Sequence, residues 1–101
     1  MTTEDFIIEL FCWIDDHMPA LPRHSQAKLY PSEVVTIGVL FALKGGYFRA
    51  FYRWLARDYA ALFGGVPERT RLQRQLATHQ DWCAHFLAAP TAAGRSWRME
   101  I

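Results

Sequence analysis

The stretch from Val34 to Leu43 constrains the fold most, because it is apolar around nearly the whole circumference of a helix. A helix of this kind is stable only when other elements surround it. It has about half the length that a bilayer span requires. Its β-branched residues also suit a buried strand, but the pattern continues through Lys44 into Gly45 and Gly46, where a C-cap glycine belongs. We therefore predict a central helix in a small bundle.

Helical spacing of apolar residues predicts further helices on both sides of this segment. One ends at about residue 18, one covers residues 47–63, one has Pro67 and Glu68 in its first turn, and the last surrounds residues 82–87 before Pro90. Prolines and paired glycines separate them, and the sequence has no repeat or β-hairpin pattern. The predicted fold class is all-α, a small bundle of about five helices over residues 1–91. Residues 92–101 have no period and are expected to form a divergent, disordered tail.

Size and composition restrict the class of protein. A chain of 101 residues, 51% apolar and 21% charged, has room for one globular domain with a core that needs no disulfide or metal. Its two cysteines, Cys12 and Cys83, are too few and too far apart for a disulfide framework, which favours a reducing compartment. The start MTTED lacks the basic residues of a signal peptide. We expect a cytoplasmic protein without a membrane partner.

Charge is distributed unevenly along the chain. Residues 1–16 contain five carboxylates and no Lys or Arg, whereas residues 44–74 contain seven basic residues and two acidic ones. Three of the basic residues, Arg49, Arg53 and Arg57, recur at every fourth position. No carboxylate lies three or four residues from any of them, so they need partners from elsewhere. Phosphate oxygens of an anionic ligand and carboxylates of the acidic first helix both remain open.

The helix predicted near Pro67 has Leu72 and Leu76 on its inner side. The side chains predicted to point outward are Thr70, Arg71, Arg74 and Thr78. A helix, a glycine-containing turn and a short helix with a polar outer face form the pattern of a helix-turn-helix, whose second helix enters the major groove of DNA. A plain exposed helix gives the same pattern, and Glu68 is spaced to neutralise Arg71. The sequence therefore allows either a DNA-reading helix or a solvated one.

The sequence has no convincing metal or catalytic site. Adjacent residues diverge by about 100° on a helix, so Asp15, Asp16 and His17 do not face one ion together. A second group lacks the further cysteine pair of a structural zinc site: His79, Cys83 and His85. No serine has the surroundings of a nucleophile, and no glycine-rich phosphate loop follows a strand. We expect no catalytic residue, metal ligand or cofactor.

Four long, ordered phrases carry a family resemblance: MTTEDFIIELFCWIDD, AKLYPSEVVTIGVLFALKG, RAFYRWLARDYAALF and PERTRLQRQLATHQDWCAHFLAAPT. Together they resemble the N-terminal region of bacterial insertion-sequence transposases of the DDE class, over about residues 1–91. In that family a helical region precedes an RNase H-like domain, whose three acidic residues bind two divalent metals for strand cleavage and joining. The family pattern would continue into a strand with the first catalytic Asp, but this sequence continues AAGRSWRMEI. None of its aspartates matches a catalytic position, so we expect a frameshifted or truncated copy that is not an enzyme.

The resemblance implies the DNA-handling half of a transposase. The expected function is binding of double-stranded DNA, at the terminal repeats of the element, without catalysis. The expected DNA-binding residues are Arg49, Arg53, Arg57, Thr70, Arg71, Arg74 and Thr78. The alternative is a protein-interaction module that docks on full-length transposase and inhibits its assembly. Another copy of this chain and a full-length transposase both remain open as protein partners. The third interpretation of the sequence is a decayed remnant without a selected role.

Overall fold

The computed structural model describes residues 2–19 and 29–88. Within these ranges the chain forms five α-helices, one 3₁₀ helix and no strand. The α-helices are α1 (Thr3–His17), α2 (Pro31–Lys44), α3 (Phe48–Asp58), α4 (Arg69–Thr78) and α5 (Gln80–Ala88), and the 3₁₀ helix is Ala60–Phe63. The prediction of an all-α bundle of about five helices is confirmed. No helix of the described ranges is long and apolar enough to cross a membrane. The tail expected over 92–101 lies outside the described residues.

Hydrogen bonds of the first turn start α1 and α2. The Asp5 N–H donates to the Thr2 hydroxyl at 3.1 Å, and the Thr2 N–H donates to the Asp5 carboxylate at 3.3 Å. The Glu33 carboxylate accepts from the Tyr30 N–H at 2.9 Å. Such bonds satisfy amide groups that the helix itself leaves without an acceptor. Pro31 occupies the first position of α2, where the missing N–H costs nothing.

The second helix, α2, is the centre of the bundle and contacts α1, α4 and α5. Its buried residues extend around most of the helix, as the apolar run predicts. The hydroxyl of the fully buried Thr36 donates to the Ser32 carbonyl at 2.7 Å, which offsets the cost of burying it. Gly45 ends the helix with a φ of 74°, in a region that favours glycine. The prediction of a central helix rather than a strand is confirmed.

Gly38 lets α2 approach the C-terminal helices closely. A Cβ atom at this position would lie 2.5 Å from the Cys83 sulfur and 3.3 Å from a methyl carbon of Leu76. The Cys83 thiol lies 3.8 Å from the Val35 carbonyl oxygen, to which it donates. Burial raises the pKa of this thiol. Cys83 is therefore a packing residue between α5 and α2.

The helix predicted over residues 47–63 is interrupted, so this part of the prediction is wrong. α3 ends at Asp58, and Ala60–Phe63 form the 3₁₀ helix. In one continuous α-helix, Leu62 would share the side of Phe51, and Phe63 would point about 120° away from it. The break instead buries Phe63, of which 5% is exposed, and leaves Leu62 only partly buried. Burial of the larger side chain stabilises the interrupted form.

The connection between α3 and α4 is longer than the turn of a helix-turn-helix. α4 begins at Arg69 with Glu68 as its N-cap, so Pro67 and Glu68 precede the helix rather than forming its first turn. The Pro67 carbonyl instead accepts a hydrogen bond from the Tyr52 hydroxyl at 2.7 Å, which holds it against α3. Residues 59–68 separate the two helices, whereas the motif has a turn of three or four residues. A helix-turn-helix is not confirmed at this place.

Candidate functional site

The third helix, α3, has one buried side and one basic side. Phe51 and Leu55 are its buried residues, with 1% and 0% of their surfaces exposed. The side chains of Arg49, Arg53 and Arg57 are exposed on the other side. This division follows from the helical period, because positions four apart lie above one another.

A groove runs along the basic side of α3 and reaches α4. It has a volume of about 650 Å³. Its lining residues are Arg49, Tyr52, Arg53, Ala56, Arg57 and Arg69. We call it the arginine groove. Arg69 is the first residue of α4, and the hydrogen bond from Tyr52 to Pro67 holds the preceding connector against α3. Four guanidinium groups from two helices thus line one surface.

Arg69 and Tyr52 are the polar lining residues that sequence reasoning missed. Helical spacing relates residues of one helix only, so it could not bring Arg69 of α4 to the arginines of α3. In the sequence, Tyr52 resembles an aromatic core residue. Its hydroxyl nevertheless donates the hydrogen bond to Pro67 that holds the connector before α4 against α3. An aromatic ring with a hydroxyl, next in sequence to Arg53, is the one sequence signal that could have indicated this residue.

One arginine of the groove has a partner that the sequence prediction overlooked. Arg57 donates from Nε to Asp58 Oδ1 and from Nη2 to Asp58 Oδ2, both at 3.0 Å. These bonds lower the pKa of Asp58 below its usual value and raise that of Arg57. The expectation that Arg57 needs a partner from elsewhere is therefore wrong, because its partner is the next residue of the chain. At the end of a helix, a long guanidinium can reach the side chain of its sequence neighbour as well as those a turn away.

Arg49, Arg53 and Arg69 have no such partner among the described residues. The Arg57–Asp58 contact is the one ion pair between residues of the two described ranges. No carboxylate of α1 pairs with the arginine groove there, although the sequence left that alternative open. Three cationic groups close together, without a carboxylate between them, create a positive potential that attracts anions.

The outer face of α4 adjoins this groove. Leu72 is fully buried, and the exposed residues of the face are Thr70, Arg71, Arg74 and Thr78. The Thr78 hydroxyl donates to the Arg74 carbonyl at 3.0 Å, so its proton is already used within the helix. Glu68 forms no ion pair with Arg71 within the described ranges. The two arginines of this face are thus open to solvent.

The residues considered for metal binding have other neighbours. His17 Nδ1 lies 2.7 Å from the Trp13 carbonyl oxygen, and Cys83 packs against α2. His79 is partly buried, and this burial lowers its pKa. No cluster of three metal-ligating side chains forms among residues 2–19 and 29–88.

The arginine groove and the adjoining face of α4 thus carry six arginines: Arg49, Arg53, Arg57, Arg69, Arg71 and Arg74. The geometry of this surface suits an extended anion, since it combines forked donors from α3 and α4. Comparison of the chain with protein families, curated protein sequences and solved structures gave no significant match.

Proposed function

We propose that the chain is a helical module that binds double-stranded DNA, with the arginine groove on the phosphate backbone. The observation that carries this proposal is the convergence of Arg49, Arg53 and Arg69 on one groove without an ion pair to a described residue. A guanidinium presents a planar fork of N–H donors that matches two oxygens of a phosphate. Three such groups in one groove favour a ligand with several phosphates.

The spacing of the arginines on α3 also favours a polymer. Arg49 and Arg53 lie about one turn apart, a rise of about 6 Å along the helix axis. Along one strand of DNA, phosphates recur at short and regular intervals, with an axial rise of about 3.4 Å for each step. Successive arginines therefore suit phosphates of the same strand. The resemblance to the N-terminal region of insertion-sequence transposases supports DNA as that polymer.

We further propose that α4 reads base edges beside the bound backbone. Its first residue, Arg69, lines the groove, so a strand held there would run past the first turn of α4. Thr70, Arg71 and Arg74 project from this helix into solvent. Arginine donates two hydrogen bonds to a guanine edge, and threonine contacts phosphate or a thymine methyl group.

A salt titration of duplex binding tests the backbone contact. We expect the logarithm of affinity to fall with the logarithm of salt concentration with a slope of about −2.7, since each of three phosphate contacts contributes about −0.9. Fluorescence anisotropy with a labelled duplex measures it. Binding that is absent at about 50 mM salt, or that does not change with salt, would contradict the proposal.

A competition experiment distinguishes DNA binding from docking on an acidic protein surface, which is the alternative function. Polyglutamate and unlabelled duplex, compared at equal total charge, present carboxylates and phosphates to the same groove. We expect the duplex to displace labelled DNA at far lower concentration, because only the duplex offers regularly spaced phosphates and base edges. Equal competition would favour docking on an acidic protein.

Arg74→Ala tests the reading of bases by α4. Because Arg74 is exposed on the side opposite Leu72, we expect the substitution to leave the fold intact, as measured by circular dichroism. On the preferred duplex it should cost about 1–3 kcal/mol and relax the preference at one or two base positions. On a scrambled duplex the loss should be much smaller. Equal losses on both duplexes would make Arg74 a phosphate contact, and no loss on either would leave α4 a solvated helix.

A further inference from the structure

Among the described residues, Asp58 is the one carboxylate that forms an ion pair with a residue of the arginine groove, Arg57. It follows Arg57 directly at the C-terminal end of α3 and accepts two hydrogen bonds from it. We infer that Asp58 withholds Arg57 from the bound anion and thereby limits the groove to three effective arginines. This inference rests on the proposed function, because the anion is the DNA backbone.

The geometry of the pair supports this competition. A carboxylate that accepts from Nε and Nη2 occupies one forked edge of the guanidinium, which is the kind of edge that a phosphate uses. The Asp58 carboxylate also places a negative charge at that end of the groove, where it repels a phosphate. Both side chains are exposed, at 69% for Arg57 and 40% for Asp58, so water and salt weaken the pair. The pair is thus of modest strength, but a phosphate at this end must displace Asp58, so Arg57 adds little to binding while the rest of the groove stays open.

Acid does not release Arg57 in the neutral range. The hydrogen bonds from Arg57 lower the pKa of Asp58, so its carboxylate stays charged at and above the pH where free aspartate ionises. The pair is lost only when the pH falls through that lowered pKa. A substitution at position 58 is thus the direct way to release Arg57.

The experiment compares salt titrations of four proteins on one duplex: wild type, Asp58→Asn, Arg57→Ala and the double variant. For Asp58→Asn we expect a slope steeper by about 0.9 and an affinity about three- to tenfold higher at about 0.1 M salt, because a fourth phosphate contact forms. Arg57→Ala alone should change the slope little. In the double variant the gain from Asp58→Asn should disappear.

Asp16→Asn is the matched control for net charge, because it removes an exposed carboxylate from α1, outside the groove. It should leave the slope unchanged. An equal gain in Asp16→Asn, or no gain in Asp58→Asn, would overturn the role of Asp58 while wild-type binding still supports the proposed function. Absence of salt-dependent binding by the wild type would overturn the proposed function, and this inference with it.

A measurement without DNA checks the pair itself. In the free protein, we expect the Arg57 Nε–H proton to exchange with water more slowly in the wild type than in Asp58→Asn, as seen by nuclear magnetic resonance. Equal exchange rates would mean that Asp58 does not hold Arg57, and would overturn the inference whatever the duplex titrations show.

Discussion

Replacing Arg49, Arg53 and Arg69 together by alanine is expected to weaken duplex binding by about 10²–10³-fold at about 0.1 M salt. The reason is the loss of three phosphate contacts, each of which contributes about 0.9 to the salt slope. All three residues line the arginine groove without an ion pair to a described residue, so their removal breaks no such contact within the described chain. We therefore expect the far-ultraviolet circular dichroism spectrum to stay unchanged. Anisotropy titrations over a range of salt concentrations measure both affinity and slope.

A lysine version of the same variant is the control. Lysine keeps the charge but lacks the planar fork, so the salt slope should be nearly retained while affinity falls less than in the alanine version. Arg69→Ala alone is also informative, because only the tertiary structure assigns this residue to the groove. If Arg57→Ala weakened duplex binding as much as Arg69→Ala does, Arg57 would be a phosphate contact, which contradicts its proposed pairing with Asp58. An alanine triple variant that binds like the wild type would exclude the groove as the DNA site.

Phe51→Ala is expected to cost about 3–5 kcal/mol of unfolding free energy, the usual range for truncating a buried aromatic side chain. Phe51 is 1% exposed, and its ring centroid lies 5.0 Å from that of Phe41 on α2. With Leu55 it forms the buried part of α3, so its loss loosens the helix that carries the basic groove. A small domain has only about 5–15 kcal/mol of total stability, so the variant should unfold at much lower urea concentration.

Tyr47→Ala is the matched control for this stability effect. It also truncates an aromatic residue next to α3, but Tyr47 is 87% exposed. We expect a change within about 0.5 kcal/mol, because little apolar surface is lost from the core. Urea unfolding curves of the two variants, followed by tryptophan fluorescence, give the comparison. Similar losses in both would show that α3 is not anchored through Phe51.

Several features of the fold and the candidate site were predictable because they depend on neighbours in the sequence. The start of α1 depends on Thr2 and Asp5, three residues apart, and the end of α2 on Gly45. The exposed side of α3, with Arg49 and Arg53, follows from its helical period. One expectation, that Arg57 needs a partner from elsewhere, is wrong because of the sequence spacing on which it rests. The carboxylate of Asp58, one residue from Arg57, was missed because only spacings of three and four were considered.

The sequence by itself determined the all-α class, the central position of α2 and the basic face of α3, because hydrophobic period, capping and glycine placement act within a few residues. Only the tertiary structure decided that α3 stops at Asp58, since this depends on where the core accepts Phe63. It also decided that Arg69 joins the groove, through a hydrogen bond between Tyr52 and Pro67. Contacts between residues so far apart in the chain depend on how whole helices pack, which no local period records.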